Sequence, residues 1–241
     1  MFRREEKDRT SKHNRQIASL LSFIAGVVNV IGIISIGKLT TNVTGHFGFF
    51  TDEIFQFNFS ESIIYFLYVL FFFLGSFVSN VFVEIVAKIN NKYIYVIPAL
   101  IEALILLVLA IFGEYFLNNS PNVIAFTLLF AMGLQNALVT IISNAIVRTT
   151  HLTGLFTDLG IEISQLLFYN TPSKKKKLLS TIRLRFRIIF SFFLGGILGG
   201  ILYSHLRFGT LFIPVGLLLF GIRYDNIKYE MLKFGKRINP F

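Results

Sequence analysis

The sequence predicts an all-α integral membrane bundle of six transmembrane helices built from two inverted three-helix repeats. Three observations carry this: apolar blocks too long for core helices, basic residues confined to one side of those blocks, and an ordered match between the two halves. The 241 residues are 54% hydrophobic and 15% charged, where a soluble domain averages about 25% charged. Mean hydropathy is +0.68.

The apolar blocks are Ile17–Gly37, Ser62–Ala87, Tyr93–Phe112, Asn122–Val147, Ile188–Tyr203 and Phe208–Ile222. About 20 helical residues cross a hydrocarbon core of roughly 30 Å. The last block is short and contains Pro214, so hydropathy alone leaves a five-span alternative open. The polar start leads into a run longer than a secretory h-region with no small-x-small site after it, which reads as a retained first span. The chain then divides into a cytoplasmic N-terminus (1–16), a first three-span repeat (17–117), a second (118–222) and a basic cytoplasmic tail (223–241).

Charge decides the span count. With the N-terminus inside, every Lys and Arg except Lys38 and Arg207 falls on the cytoplasmic side, which is where insertion leaves them. Five spans would put Arg223, Lys228, Lys233, Lys236 and Arg237 outside. Six is the expectation. The net charge of +10 flanks apolar runs and lines no folded face, so nucleic acid is not an expected partner. The run Lys174–Lys177 reads as a topology determinant in a solvated loop, with an anionic-lipid site as its sharper alternative. Absence of cysteine excludes disulfides, thiolate metal sites and Cys nucleophiles.

Four matches recur in the same order in both halves. Gly26-Val-Val-Asn29 pairs with Gly133-Leu-Gln-Asn136, and Thr40-Thr-Asn-Val-Thr-Gly45 with Thr149-Thr-His-Leu-Thr-Gly154. Phe72-Phe-Leu-Gly75 pairs with Phe192-Phe-Leu-Gly195, and Ile97-Pro98 with Ile213-Pro214. A repeat unit with an odd number of spans must insert its second copy upside down, an architecture that recurs in secondary transporters with sites near the midplane.

After each Thr-Thr-x-x-Thr-Gly motif comes an amphipathic stretch, Phe47 to Phe59 and Leu155 to Tyr169. Gly45 and Gly154 offer backbone freedom for a break, and Thr44 and Thr153 are the expected helix caps. The stretches read as helices lying flat at the interface; re-entrant half-helices lining a cavity are the alternative. In the second, Asp158, Glu162 and Gln165 share one face. A helix N-terminus here would suit an anionic or carbonyl-bearing ligand.

Within the spans, Glu102 falls near the expected midplane, where a carboxylate is costly and a functional candidate. Asn29, Gln135 and Asn136 are span amides at or beside matching repeat positions. Such amides either join helices or bind ligand. Gly75 with Ser79, and Gly195-Gly196 with Gly199-Gly200, are small-residue faces suited to close helix packing and to a homo-oligomer contact. The four histidines have no metal-ligand spacing, although His151 lies inside the repeated motif. No G-x-S-x-G, H-E-x-x-H, Walker or Rossmann pattern occurs, so neither an enzyme nor a cofactor is expected.

Met132-Gly-Leu-Gln-Asn-Ala137, followed by Arg148-Thr-Thr-His-Leu-Thr-Gly-Leu-Phe-Thr-Asp-Leu-Gly160, resembles the hallmark stretch of the YoaK-like bacterial membrane proteins. Phe23-Ile-Ala-Gly-Val-Val-Asn29 and Asn42-Val-Thr-Gly45 are similar to that family's other hallmark. The resemblance implies a multi-pass protein of the bacterial inner membrane. It also implies an acid in the first span, where this chain has Asn29.

The expected function is a small-solute transporter or permease working by alternating access, its path lined by Asn29, Thr41, Thr44, Glu102, Gln135, Asn136, Thr150, His151, Thr153 and Asp158. The rival is a non-transporting scaffold or lipid-interacting protein. Expected partners are the lipid bilayer and an unidentified small solute.

Overall fold

A computed structural model describes residues 11–89, 95–143, 149–169 and 171–224. Arg3, Arg4, Lys7, Arg9, Lys92, Arg148, Lys228, Lys233, Lys236 and Arg237, used above to count charge, lie outside the described residues. All described regular structure is helical.

The first apolar block forms α1, Ser11–Ile36, which stops where Gly37 takes a φ of +66° that only glycine adopts freely. The chain turns back into α2, Val43–Phe55, and after a short corner enters α3, Phe59–Ile89. Next come α4, Val96–Asn119, and α5, Pro121–Ile142, joined by a tight turn at Ser120. The second half continues with α6, Leu152–Phe168, and α7, Pro172–Leu206. A 3-10 turn, Arg207–Leu211, then leads into a final helix, α8, over residues 212–224.

Five segments are long and apolar enough to cross a membrane, where the sequence reading expected six. The fifth is a 53-residue segment, Pro172–Tyr224, in which α7 and α8 run on with only the turn between them. That turn is a real corner. Arg207 has φ 51°, its Nε donates to Glu114 Oε1 (3.1 Å), and its guanidinium lies over the Tyr203 ring. Phe208 sits against Gly113, where a β-carbon would overlap its ring, and is 1% exposed. Pro98 and Pro214 each fall in the first turn of their helices, which explains the Ile-Pro match: proline is tolerated there because its missing N–H has no helical partner to lose. Lys174–Lys177 stand on the first turns of α7, a correction to the solvated-loop reading; Pro172 at the helix start helps nucleate it.

Around the perimeter Phe73, Phe77, Ile111, Phe112, Phe190, Phe193, Ile197 and Ile201 are all at least half exposed. An apolar patch of that extent points to lipid as the surrounding solvent. Burial separates the roles of the spans: 67% of the apolar window of α1 is buried against 22% for α3. α1 is the centre and α3 the rim.

Two parallel helix pairs build the bundle, and glycine sets both seams. A β-carbon on Gly26 would overlap the carbonyl oxygen of Phe192, and one on Gly195 that of Phe23, so α1 and α7 touch backbone to backbone. In the other pair Gly75 meets the carbonyl of Phe130 and Gly133 that of Phe72, bringing α3 equally close to α5. Ser76 Oγ adds a bond to the Gly133 carbonyl (3.0 Å). Gly195 and Gly199 are thus packed against α1 within the chain. Between the pairs, α1 and α5 cross antiparallel. Gln135 Nε2 donates to the Leu21 carbonyl (2.5 Å) while Leu128 lies beside Gly32.

Candidate functional site

Each Thr-Thr-x-x-Thr-Gly motif is the start of a short helix that folds back along the span after it. α2 runs antiparallel to α3: His46 packs on Tyr68, Phe49 stacks on Tyr65, and Phe57 meets Phe59 at the corner. α6 runs antiparallel to α7 in the same way. Asp158 and Glu162 reach Arg185 there, and Tyr169 lies beside Lys174 near the turn. Each segment packs along its neighbouring helix, as the half-helix alternative requires. Aromatic packing along α2 and the Arg185 fork along α6 hold each segment against its neighbouring span.

The caps also differ from expectation. Asn42, not Thr44, caps α2, its side chain accepting the Gly45 N–H (3.0 Å). His151 takes the equivalent place before α6 without a side-chain cap bond, and Thr153 follows inside the first turn. Gly45 and Gly154 are glycine for close approach. A β-carbon on either would overlap the side chain of Asn42 or His151. The backbone break itself belongs to Gly37.

An asparagine from the preceding span pins each motif. Asn29 Oδ1 accepts from the Thr40 N–H (3.0 Å) and the Thr41 hydroxyl (3.0 Å). Asn136 Oδ1 accepts from the Thr150 hydroxyl (2.5 Å). Thr40 and Thr149 are both fully buried. His46 fixes the loop before α2: its Nε2–H donates to the Leu39 carbonyl (2.7 Å), and burial holds its pKa below the ordinary value, with Lys38 lowering it further. Lys38, one of the two basic residues outside the charge rule, donates to Tyr65 Oη (2.8 Å).

These two pinned motifs open on one cleft of about 810 Å³. From the first half it is lined by Asn29, Leu39, Thr41, Asn42, Val43, Thr44, Gly45 and Phe72; from the second by Asn136, Thr140, Thr150, His151, Leu152, Thr153 and Phe192. Seven of the ten expected path residues are therefore brought together: Asn29, Thr41, Thr44, Asn136, Thr150, His151 and Thr153. Three are not. Gln135 is fully buried, its Nε2 donating to the Leu21 carbonyl and its Oε1 without a partner among the described residues. Asp158 is held by Arg185 (2.8 Å). Glu102 is fully buried in α4, with no hydrogen-bond partner among the described residues and no place on the cleft wall.

Sequence reasoning missed Asn42, Thr140, Phe72 and Phe192 as lining residues. The signal for Asn42 was present: asparagine just before an amphipathic stretch is a strong N-cap pattern. Phe72 and Phe192 stood in a matched pair but were read only as a repeat match. Among the described residues no cluster of His, Cys, Asp and Glu could hold a metal ion.

No curated protein and no solved structure matches the chain. Residues 17–223 match a family described as "Protein of unknown function (DUF1275)", and the chain belongs to that family.

Proposed function

We propose that this chain is a small-solute transporter of the bacterial inner membrane, working by alternating access between two inverted three-helix repeats, with both termini in the cytoplasm. The observation that carries the reading is the shared cleft, walled by the same motif from each half. The repeat reading draws support from matched contacts. Gly26 and Gly133 are equivalent, as are their partners Phe192 and Phe72; so are the Asn29–Thr41 and Asn136–Thr150 bonds. The 53-residue fifth segment, turned at Arg207, supplies the fifth and sixth crossings. Two halves of similar construction give two states of similar energy, one open to each side. A dry, filled interior would have favoured the scaffold.

The chain has no native cysteine, so single cysteines report cleanly. In proteoliposomes, Thr44→Cys and Thr153→Cys are each expected to react with a membrane-impermeant maleimide from both faces. No reaction at either position, or strictly one face for each, would leave no continuous alternating path.

A further inference from the structure

The cleft offers hydrogen-bond donors and no ionised acceptor. Of its fifteen lining residues none is Asp, Glu, Lys or Arg. The two best acceptors, the Asn29 and Asn136 oxygens, are taken by the Thr motifs. Their amide nitrogens are not. Asn29 is 8% exposed, borders the cleft, and its Nδ2 donates to no group among the described residues. Asn136 Nδ2 is buried and also without a partner among the described residues. Because the Thr40 N–H can face only an oxygen, the Asn29 amide orientation is fixed with its NH₂ turned away from the motif.

The same wall carries the starts of α2 and α6, of 13 and 17 residues. In α2 the Asn42 side chain satisfies Gly45, which leaves the Val43 and Thr44 N–H groups without a partner among the described residues. In α6 Leu152 and Leu155 find carbonyls, and Thr153 and Gly154 find none among the described residues. Two helix N-termini therefore bring partial positive charge to one space, beside two unpaired amides. A cation would find no carboxylate among the lining residues. Phe72 and Phe192 face the same volume and suit an apolar body, and about 810 Å³ is ample for a small organic molecule.

We propose that the cleft binds a small organic anion, its carboxylate or other oxoanion head held by the Asn29 and Asn136 amides and the first turns of α2 and α6. This rests on the transport reading above and names its substrate class.

The test uses the full chain in proteoliposomes with Thr140→Cys as reporter, a lining residue outside the proposed anion contacts. Maleimide labelling is followed while part of the chloride is replaced by benzoate, acetate or sulfate at constant ionic strength. Benzamide and choline serve as the neutral and cationic controls. Benzoate is expected to slow labelling at least threefold, and benzamide and choline to leave it unchanged. Asn29→Asp and Asn136→Asp keep the acceptor oxygen that each motif needs but add negative charge; each is expected to label normally and lose the protection. Labelling that no anion slows, or that benzamide or choline slows equally, overturns the anion proposal and leaves the open cleft standing. No labelling of the reporter in any buffer removes the cleft and the proposal together.

Discussion

Gly133→Ala is expected to lower the melting temperature of the detergent-solubilised protein by roughly 5–10 °C, a cost of about 3 kcal/mol. The added methyl would overlap the Phe72 carbonyl group, which is backbone and cannot rotate away. α3 and α5 must separate, and the Ser76 bond to the Gly133 carbonyl goes with the seam. Overpacking typically costs about 1–3 kcal/mol, and a backbone obstacle places this site at the upper end. Gly26, Gly75 and Gly195 meet carbonyls in the same way and are expected to behave alike. Gly200 is the control, since its nearest neighbours are side-chain atoms of Val30 (3.5 Å) and Ile34 (3.6 Å) at ordinary contact distance. A Gly200→Ala loss as large as that of Gly133→Ala would mean that backbone contact does not set these seams.

Asn29→Ala is the second large effect. Thr40 is fully buried, and its N–H has the Asn29 oxygen as acceptor. Truncation leaves that N–H unpaired and removes the Thr41 contact as well. An orphaned buried donor costs about 1–3 kcal/mol, so a fall of roughly 3–8 °C is expected. Asn29→Asp keeps an acceptor in place and is expected to melt within about 2 °C of the parent. The contrast separates the pinning role from simple bulk. Equal losses in the two variants would show that the oxygen is not what holds the start of α2.

Much of this was legible in the sequence because the bilayer imposes length and the repeat imposes correspondence. The glycines of the Gly26 and Gly133 matches are seam contacts, and the asparagines beside them are the pins. What was not legible is direction. Amphipathic periodicity is the same whether a helix lies flat or folds back along a span, so the placement of α2 and α6 required tertiary contacts such as His46 on Tyr68 and Arg185 on Glu162. Glu102 and Asp158 show the other limit. Depth along a span can be counted from sequence, but which face a residue turns toward a cleft built from both halves cannot. Helix caps failed for a local reason: Asn42, two residues before Thr44, takes the cap, and both are good cap types.

The corners after α2 and α6 test the inverted arrangement most directly. Asn58 lies in the corner after α2 and Tyr169 in the corner after α6, and both are exposed. Each is replaced singly by cysteine in the otherwise cysteine-free chain and exposed to an impermeant maleimide in intact spheroplasts, then after lysis. The account predicts that Asn58→Cys labels in intact spheroplasts and Tyr169→Cys only after lysis. Labelling of both from the same side would contradict it.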